Sequence, residues 1–274
     1  MNIIIFYNLV KNKMKGRCGV KIEKRILALD FDGVIADSIS ECLAVARNAF
    51  TRLQGGGEVV LSLDRIDAEI LSENRRLRNF IRSGEDYVYI QLALKEKAEI
   101  QNQDDFDRFI AEHSQYQEIY LQAFYRERDS FLEKHRAEWL KLNPLYPGMG
   151  EFLRAVRKPD ELAVITTKRL GFVREILNAS GIETAQWHMA HAVPGRGKTE
   201  IILSIMEQRA VPAGNFDFVD DQVDTLIKAR TTGVNCHLAA WGYNNEDQAG
   251  RARRSGLSIL SLESFYRRFA SFRD

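Results

Sequence analysis

Asp30 and Asp32, separated only by Phe31 and followed at once by Gly33, are the residues in this chain best placed to do chemistry. Two carboxylates so close repel one another unless they share a cation or one keeps its proton. They close an unbroken apolar run, Ile26, Leu27, Ala28 and Leu29, which reads as a strand buried on both faces of a parallel sheet. In open α/β sheets the carboxyl ends of strands are where ligands bind. Three later places carry related signals. Thr166 and Thr167 follow the apolar run from Leu162 to Ile165, and a hydroxyl there suits either a phosphate oxygen or a helix cap. Lys198 precedes the helical stretch TEIILSIM, where a cation is badly placed unless an anion offsets it. Asp220 and Asp221 end the run FDFV, with Asp224 one helical turn further on. Paired carboxylates at a strand end are the hard oxygen ligands that Mg²⁺ prefers.

Taken in order, these four places resemble the four motifs of the haloacid dehalogenase superfamily, most nearly its phosphatase and phosphomutase branch. DFDGVIADS is similar to the nucleophile motif, LAVITTK to the second, GKTEII to the third and FDFVDDQVD to the acidic fourth, while AAWGYN resembles the closing strand and loop. The resemblance implies an aspartyl-phosphate on Asp30, with Asp32 exchanging protons with the leaving group and then with water. It implies that Thr166, with Thr167 beside it, and Lys198 hold phosphoryl oxygens. Mg²⁺ would rest on Asp30, the Asp32 backbone carbonyl and Asp221, with Asp220 nearby. The register of the fourth motif is open: acidic spacing selects Asp220 and Asp224, whereas Val219 and Gly233 align without a gap when Asp221 is the principal ligand, which is preferred. Members that displace halide lack the second aspartate, so Asp32 favours phosphate-ester chemistry. The expected activity is a phosphoglycolate phosphatase-like hydrolysis of a small phosphorylated metabolite. The alternatives are a sugar phosphomutase resembling β-phosphoglucomutase and, behind it, a non-catalytic protein that binds a phosphate ligand.

The elements that must position these residues follow from the pattern around them. Strands alternate with helices from Leu162 to the C-terminus, which predicts a doubly wound parallel sheet, a Rossmann-like α/β core. Between Asp30 and that stretch, apolar residues recur at helical spacing through a charge-dense segment nearly devoid of strand signals. The expected organisation is therefore a core of residues 23–38 and 145–274 interrupted by an inserted α-helical cap, residues 39–144. Within the insert, Arg78 and Arg82 lie in RRLRNFIR. Such a cluster reads as a solvated helix face or, functionally, as a contact for an anionic group on the non-reacting part of a substrate.

Composition narrows the partners. Of 274 residues, 39 are Lys or Arg and 38 are Asp or Glu, a balance that offers no field for nucleic acid or an anionic membrane. Cys18, Cys42 and Cys236 are odd in number and widely spaced, which suggests reduced thiols in a cytoplasmic protein. Residues 1–22 are expected to be an N-terminal extension, with Met14 an alternative start. Lys11, Lys13, Lys15 and Arg17 follow its apolar run instead of preceding it, the reverse of a signal peptide. The five histidines, at 113, 135, 188, 191 and 237, are read as structural or surface residues.

Overall fold

The computed structural model describes residues 24–57 and 59–273; the expectations for residues 1–22, including Cys18 and Met14, lie outside the described residues. β1 (Ile26–Leu29) is buried throughout. Its alternate side chains enter opposite layers, Leu27 and Leu29 into one apolar core and Ile26 and Ala28 into the other. That double burial is why the run lacks a polar face. β2 (Leu162–Thr166), β3 (His188–His191), β4 (Phe216–Asp220), β5 (Asn235–Ala239) and β6 (Ser258–Leu260) complete one sheet in the order β3-β2-β1-β4-β5-β6. Every pairing in it is parallel. The chain builds outward from β1 through β2 to β3, then returns to place β4 on the other side of β1. The strand order therefore reverses between β1 and β4, the switch point at which such sheets bind ligands.

The helices of the insert separate β1 from β2. α1 (Ile39–Leu53), α2 (Ala68–Leu77), α3 (Asp86–Glu96), α4 (Gln103–Glu112), α5 (Gln117–Lys134) and α6 (Arg136–Lys141) follow one another with two side-chain caps, Asp67 to the N–H of Glu69 and Asn102 to the N–H of Asp105. α3 is the central helix: Tyr87, Val88, Tyr89, Ile90, Gln91, Leu92 and Ala93 are all buried. α1 packs against both α3 and α5. Back in the sheet region, α7 (Met149–Ala155), α8 (Leu170–Ala179), α9 (Lys198–Arg209), α10 (Val223–Arg230), α11 (Glu246–Arg254) and α12 (Leu262–Arg268) alternate with the strands. Among the described residues no helix is long and apolar enough to cross a membrane.

Gly33 turns the chain out of β1 with φ of 84°, a left-handed conformation that glycine adopts without penalty. A Cβ at that position would collide with the Asp221 carboxylate. The glycine thus lets the loop after β1 approach the end of β4.

Candidate active site

Parallel pairing extends one residue beyond β1, because the Asp30 N–H donates to the Val219 carbonyl at 2.9 Å. This sets Asp30 beside the end of β4, where Asp220 and Asp221 stand. Each of the three offers a carboxylate oxygen, and these oxygens lie within 4.8 Å of one another. All three residues are buried, at 6%, 0% and 1% exposure. Lys198, opening α9, places Nζ 2.9 Å from Asp30 Oδ1 and 2.8 Å from Asp220 Oδ2. One ammonium does not neutralise three carboxylates. Burial above all pushes the Asp30 pKa up to about 7, against the pull of Lys198 and with the help of Asp220. Asp221 is pushed up to about 8 by burial, opposed by Arg78 and reinforced by Asp220 and Asp30.

The oxygens are unevenly served. Asp220 Oδ1 accepts from the Gln222 N–H at 2.8 Å and Asp221 Oδ2 from the Tyr243 N–H at 2.9 Å. Asp221 Oδ1 has no hydrogen-bond donor, and Asp30 Oδ1 meets Lys198 as an ion pair without a well-directed hydrogen bond. Buried carboxylate oxygens left in this state, drawn from three convergent hard donors, fit a divalent cation such as Mg²⁺. Asp224 stands apart, half-exposed and paired with Arg251 at 2.5 Å. Geometrically, then, it is Asp221 that shares the cluster with Asp220 and Asp30.

Asp32 faces a different environment. Its Oδ1 accepts from Ser38 Oγ at 2.5 Å and from Lys168 Nζ at 3.1 Å. Burial alone would raise its pKa, but the Lys168 ammonium and the Ser38 hydroxyl hold it below the usual carboxylate range. Lys168 is itself buried and lies 3.4 Å from Glu41 Oε2. Glu41 in turn accepts two hydrogen bonds from Arg128, at 2.8 and 2.9 Å, and one from Trp139 Nε1 at 3.0 Å. Sequence reasoning passed over all of these supporting residues. Lys168 could have been noticed as the basic residue directly after Thr166 and Thr167; Glu41 and Arg128 sit in helical patterns with nothing to mark them.

The remaining expected residues divide. Thr166 ends β2 fully buried, its Oγ1 accepting from the Lys168 N–H at 3.0 Å, while Thr167 is exposed and lines the cavity above the carboxylates. That cavity, about 620 Å³, is bounded by Asp30, Asp32 and Lys198 from the sheet side and by Arg78, Arg82 and Arg128 from the insert. Arg82 is half-exposed and held by both oxygens of Asp107, at 2.6 and 3.2 Å. Arg78 is only 5% exposed and lies against the rings of Tyr243 and Tyr87. The histidines take no part in the carboxylate cluster; His237, the most buried, pairs with Asp217 at 2.8 Å.

Known proteins place this arrangement in context. A phosphoglycolate phosphatase of Pseudomonas fluorescens is 25% identical over 225 residues, spanning 81% of this chain and 71% of that protein. One from Pseudomonas savastanoi is 26% identical over the same length and shares. Among solved structures, a haloacid dehalogenase-like family protein of Streptococcus pneumoniae superposes with a TM-score of 0.56 at 14% identity, covering 91% of this chain and 98% of its own, a likeness of fold. A family model described as haloacid dehalogenase-like hydrolase matches residues 24–230, from just ahead of β1 to the end of α10. That match takes in Asp30, Asp32, Thr166, Lys198, Asp220 and Asp221 together, and the chain belongs to the haloacid dehalogenase-like hydrolase family.

Proposed function

We propose that this chain is a Mg²⁺-dependent phosphoric monoester hydrolase that acts on a small phosphorylated metabolite through an aspartyl-phosphate on Asp30. The observation that carries the reading is the convergence of three buried carboxylates at the switch point, two of them paired with Lys198, with another, separately held aspartate two residues from Asp30. Asp30, Asp220, Asp221 and the Asp32 backbone carbonyl would hold Mg²⁺. Once bound, the ion supplies the positive charge that lets an anionic phosphoryl group approach these carboxylates.

In this mechanism an Asp30 oxygen attacks phosphorus; a new P–O bond forms as the ester P–O bond breaks. Asp32 delivers its proton to the departing oxygen. The negative charge of the substrate beside it raises its proton affinity above the low resting value. Water then attacks phosphorus, its proton passes to Asp32, and the bond to Asp30 breaks. Lys198 and Thr167, both at the cavity wall, hold the remaining phosphoryl oxygens, and Thr166 stands behind them with its Oγ1 accepting from the Lys168 N–H. Residues 39–144 serve as a cap over a core of residues 23–38 and 145–274, since Arg78, Arg82 and Arg128 of the insert share the cavity with Asp30 and Asp32.

The names of the Pseudomonas relatives make 2-phosphoglycolate the first substrate to try. The test is a panel of phosphorylated metabolites assayed with Mg²⁺ for inorganic phosphate. Release from one or a few members is expected. Interconversion of sugar-phosphate isomers without phosphate release would replace the hydrolase by a mutase, and neither reaction on any member would contradict both.

A further inference from the structure

The basic residues around the cavity differ in what they are already bound to. Lys198 is shared by Asp30 and Asp220, Arg128 is locked onto Glu41, and Arg82 is held by Asp107. Lys228 also lines the cavity but is exposed; among the buried cations Arg78 is the exception. It is more deeply buried than Arg82, yet among the described residues no carboxylate lies within ion-pair distance of it and its Nε has no acceptor. Guanidinium groups do not shed their proton in proteins, so a buried one whose attraction to an acid, Asp221, acts only from beyond ion-pair distance is costly to keep. The aromatic faces beside it offset part of that cost: its guanidinium carbon lies 4.1 Å from the centroid of Tyr243 and 5.4 Å from that of Tyr87. Stacking fixes the plane and leaves N–H groups unspent. Tyr243 also donates its backbone N–H to Asp221, so Arg78 stands one side chain away from the carboxylate cluster.

The backbone next to Arg78 is tied to the core at two points. Gln248 Nε2, on α11, donates to the Asn79 carbonyl at 2.9 Å, and Gln222 Nε2 donates to the Ile81 carbonyl at 3.0 Å. Gln222 directly follows Asp221 and also donates its own N–H to Asp220. Two amide clamps thus register this segment of the insert against the cluster.

We propose that Arg78, positioned by Gln222 and Gln248, binds a second anionic group carried on the leaving part of a small phosphate monoester, within a few bonds of phosphorus. The inference rests on the phosphatase reading and names the substrate class of that same site. A planar guanidinium edge suits a carboxylate or a second phosphate alike. The experiment compares matched esters: 2-phosphoglycolate with ethyl phosphate, and ethylene glycol bisphosphate with 2-hydroxyethyl phosphate. Wild-type protein should favour the charged member of at least one pair in kcat/KM, and which pair it is distinguishes carboxylate from phosphate. In Arg78→Gln that preference should fall about 10- to 100-fold, mainly through KM, with Arg78→Lys intermediate. Gln248→Ala keeps the cation and loosens its mooring, so it should lower the same ratio less. Turnover without any preference in the wild type, or an equal loss on both members of each pair in the Arg78 variants, overturns the inference and leaves the phosphatase reading standing. Release of phosphate from no ester at all refutes both.

Discussion

Lys198 reaches Asp30 and Asp220 but makes no ion pair with Asp221, and this imbalance shapes what the site does. Asp30 and Asp221, at about 7 and about 8, hold protons near neutrality when no cation is present. A divalent ion must displace those protons. Mg²⁺ affinity should therefore rise as pH increases from about 6 to about 8.5, with proton release that isothermal titration in buffers of different ionisation enthalpy would detect. Affinity independent of pH over that range would contradict the geometry. Asp30→Asn removes the attacking oxygen and should lower kcat for phosphate release by about 10³-fold or more, whereas Asp32→Asn leaves the nucleophile and should cost about 10²- to 10⁴-fold. Steady-state assays on a substrate found by the panel check both. At this scale the sequence was informative because each of these side chains ends an apolar strand or opens a helix. It was silent on the difference between Arg78 and Arg82. Both lie in one basic run, and only the tertiary position of Asp107 commits Arg82 and leaves Arg78 without a carboxylate.

Helices α1, α5 and α6 and the residue after the Thr166–Thr167 pair meet in one buried polar group, Glu41 with Arg128, Trp139 and Lys168. Arg128→Met leaves Glu41 partly uncompensated, and should destabilise the fold by about 3–5 kcal/mol in urea denaturation. Adding Glu41→Leu should cost less than the sum of the two single changes; strict additivity would show the pair is uncoupled. Asp86, at the start of α3, offers a cleaner pH test. It is buried and accepts from the N–H groups of Arg82 and Ser83, but burial pushes its pKa up to about 6. The folded state binds this proton more tightly than the unfolded chain, so the stabilisation is complete below about pH 4 and fades as pH rises toward 6. The asparagine variant keeps an acceptor without a charge. It should lose that slope and gain up to about 3 kcal/mol at pH 7, read from urea midpoints at several pH values. β1, β2 and β4 were legible to within a residue, since each is a short apolar run closed by a carboxylate or hydroxyl residue. The buried network was not. Glu41 and Arg128 are 87 residues apart, and Lys168 and Asp32 are 136 apart; local periodicity carries no information about such pairs.

The sheet order brings together β1, β2 and β4 although the segments between them include the whole helical insert. Because residues from distant parts of the chain converge on the carboxylates, an ion bound there ties the core together. Mg²⁺ at about 100 times its dissociation constant should stabilise the folded state by about 2.7 kcal/mol, seen as a rise in Tm of a few degrees that chelation reverses. The most direct measurement is calorimetric titration of Mg²⁺ into chelator-treated wild-type protein and Asp221→Asn, since it bears on the carboxylate cluster whatever the substrate proves to be. One ion per chain is expected in the wild type, bound at least about tenfold more weakly in the variant. No binding by the wild type, or equal binding by both, would contradict the account.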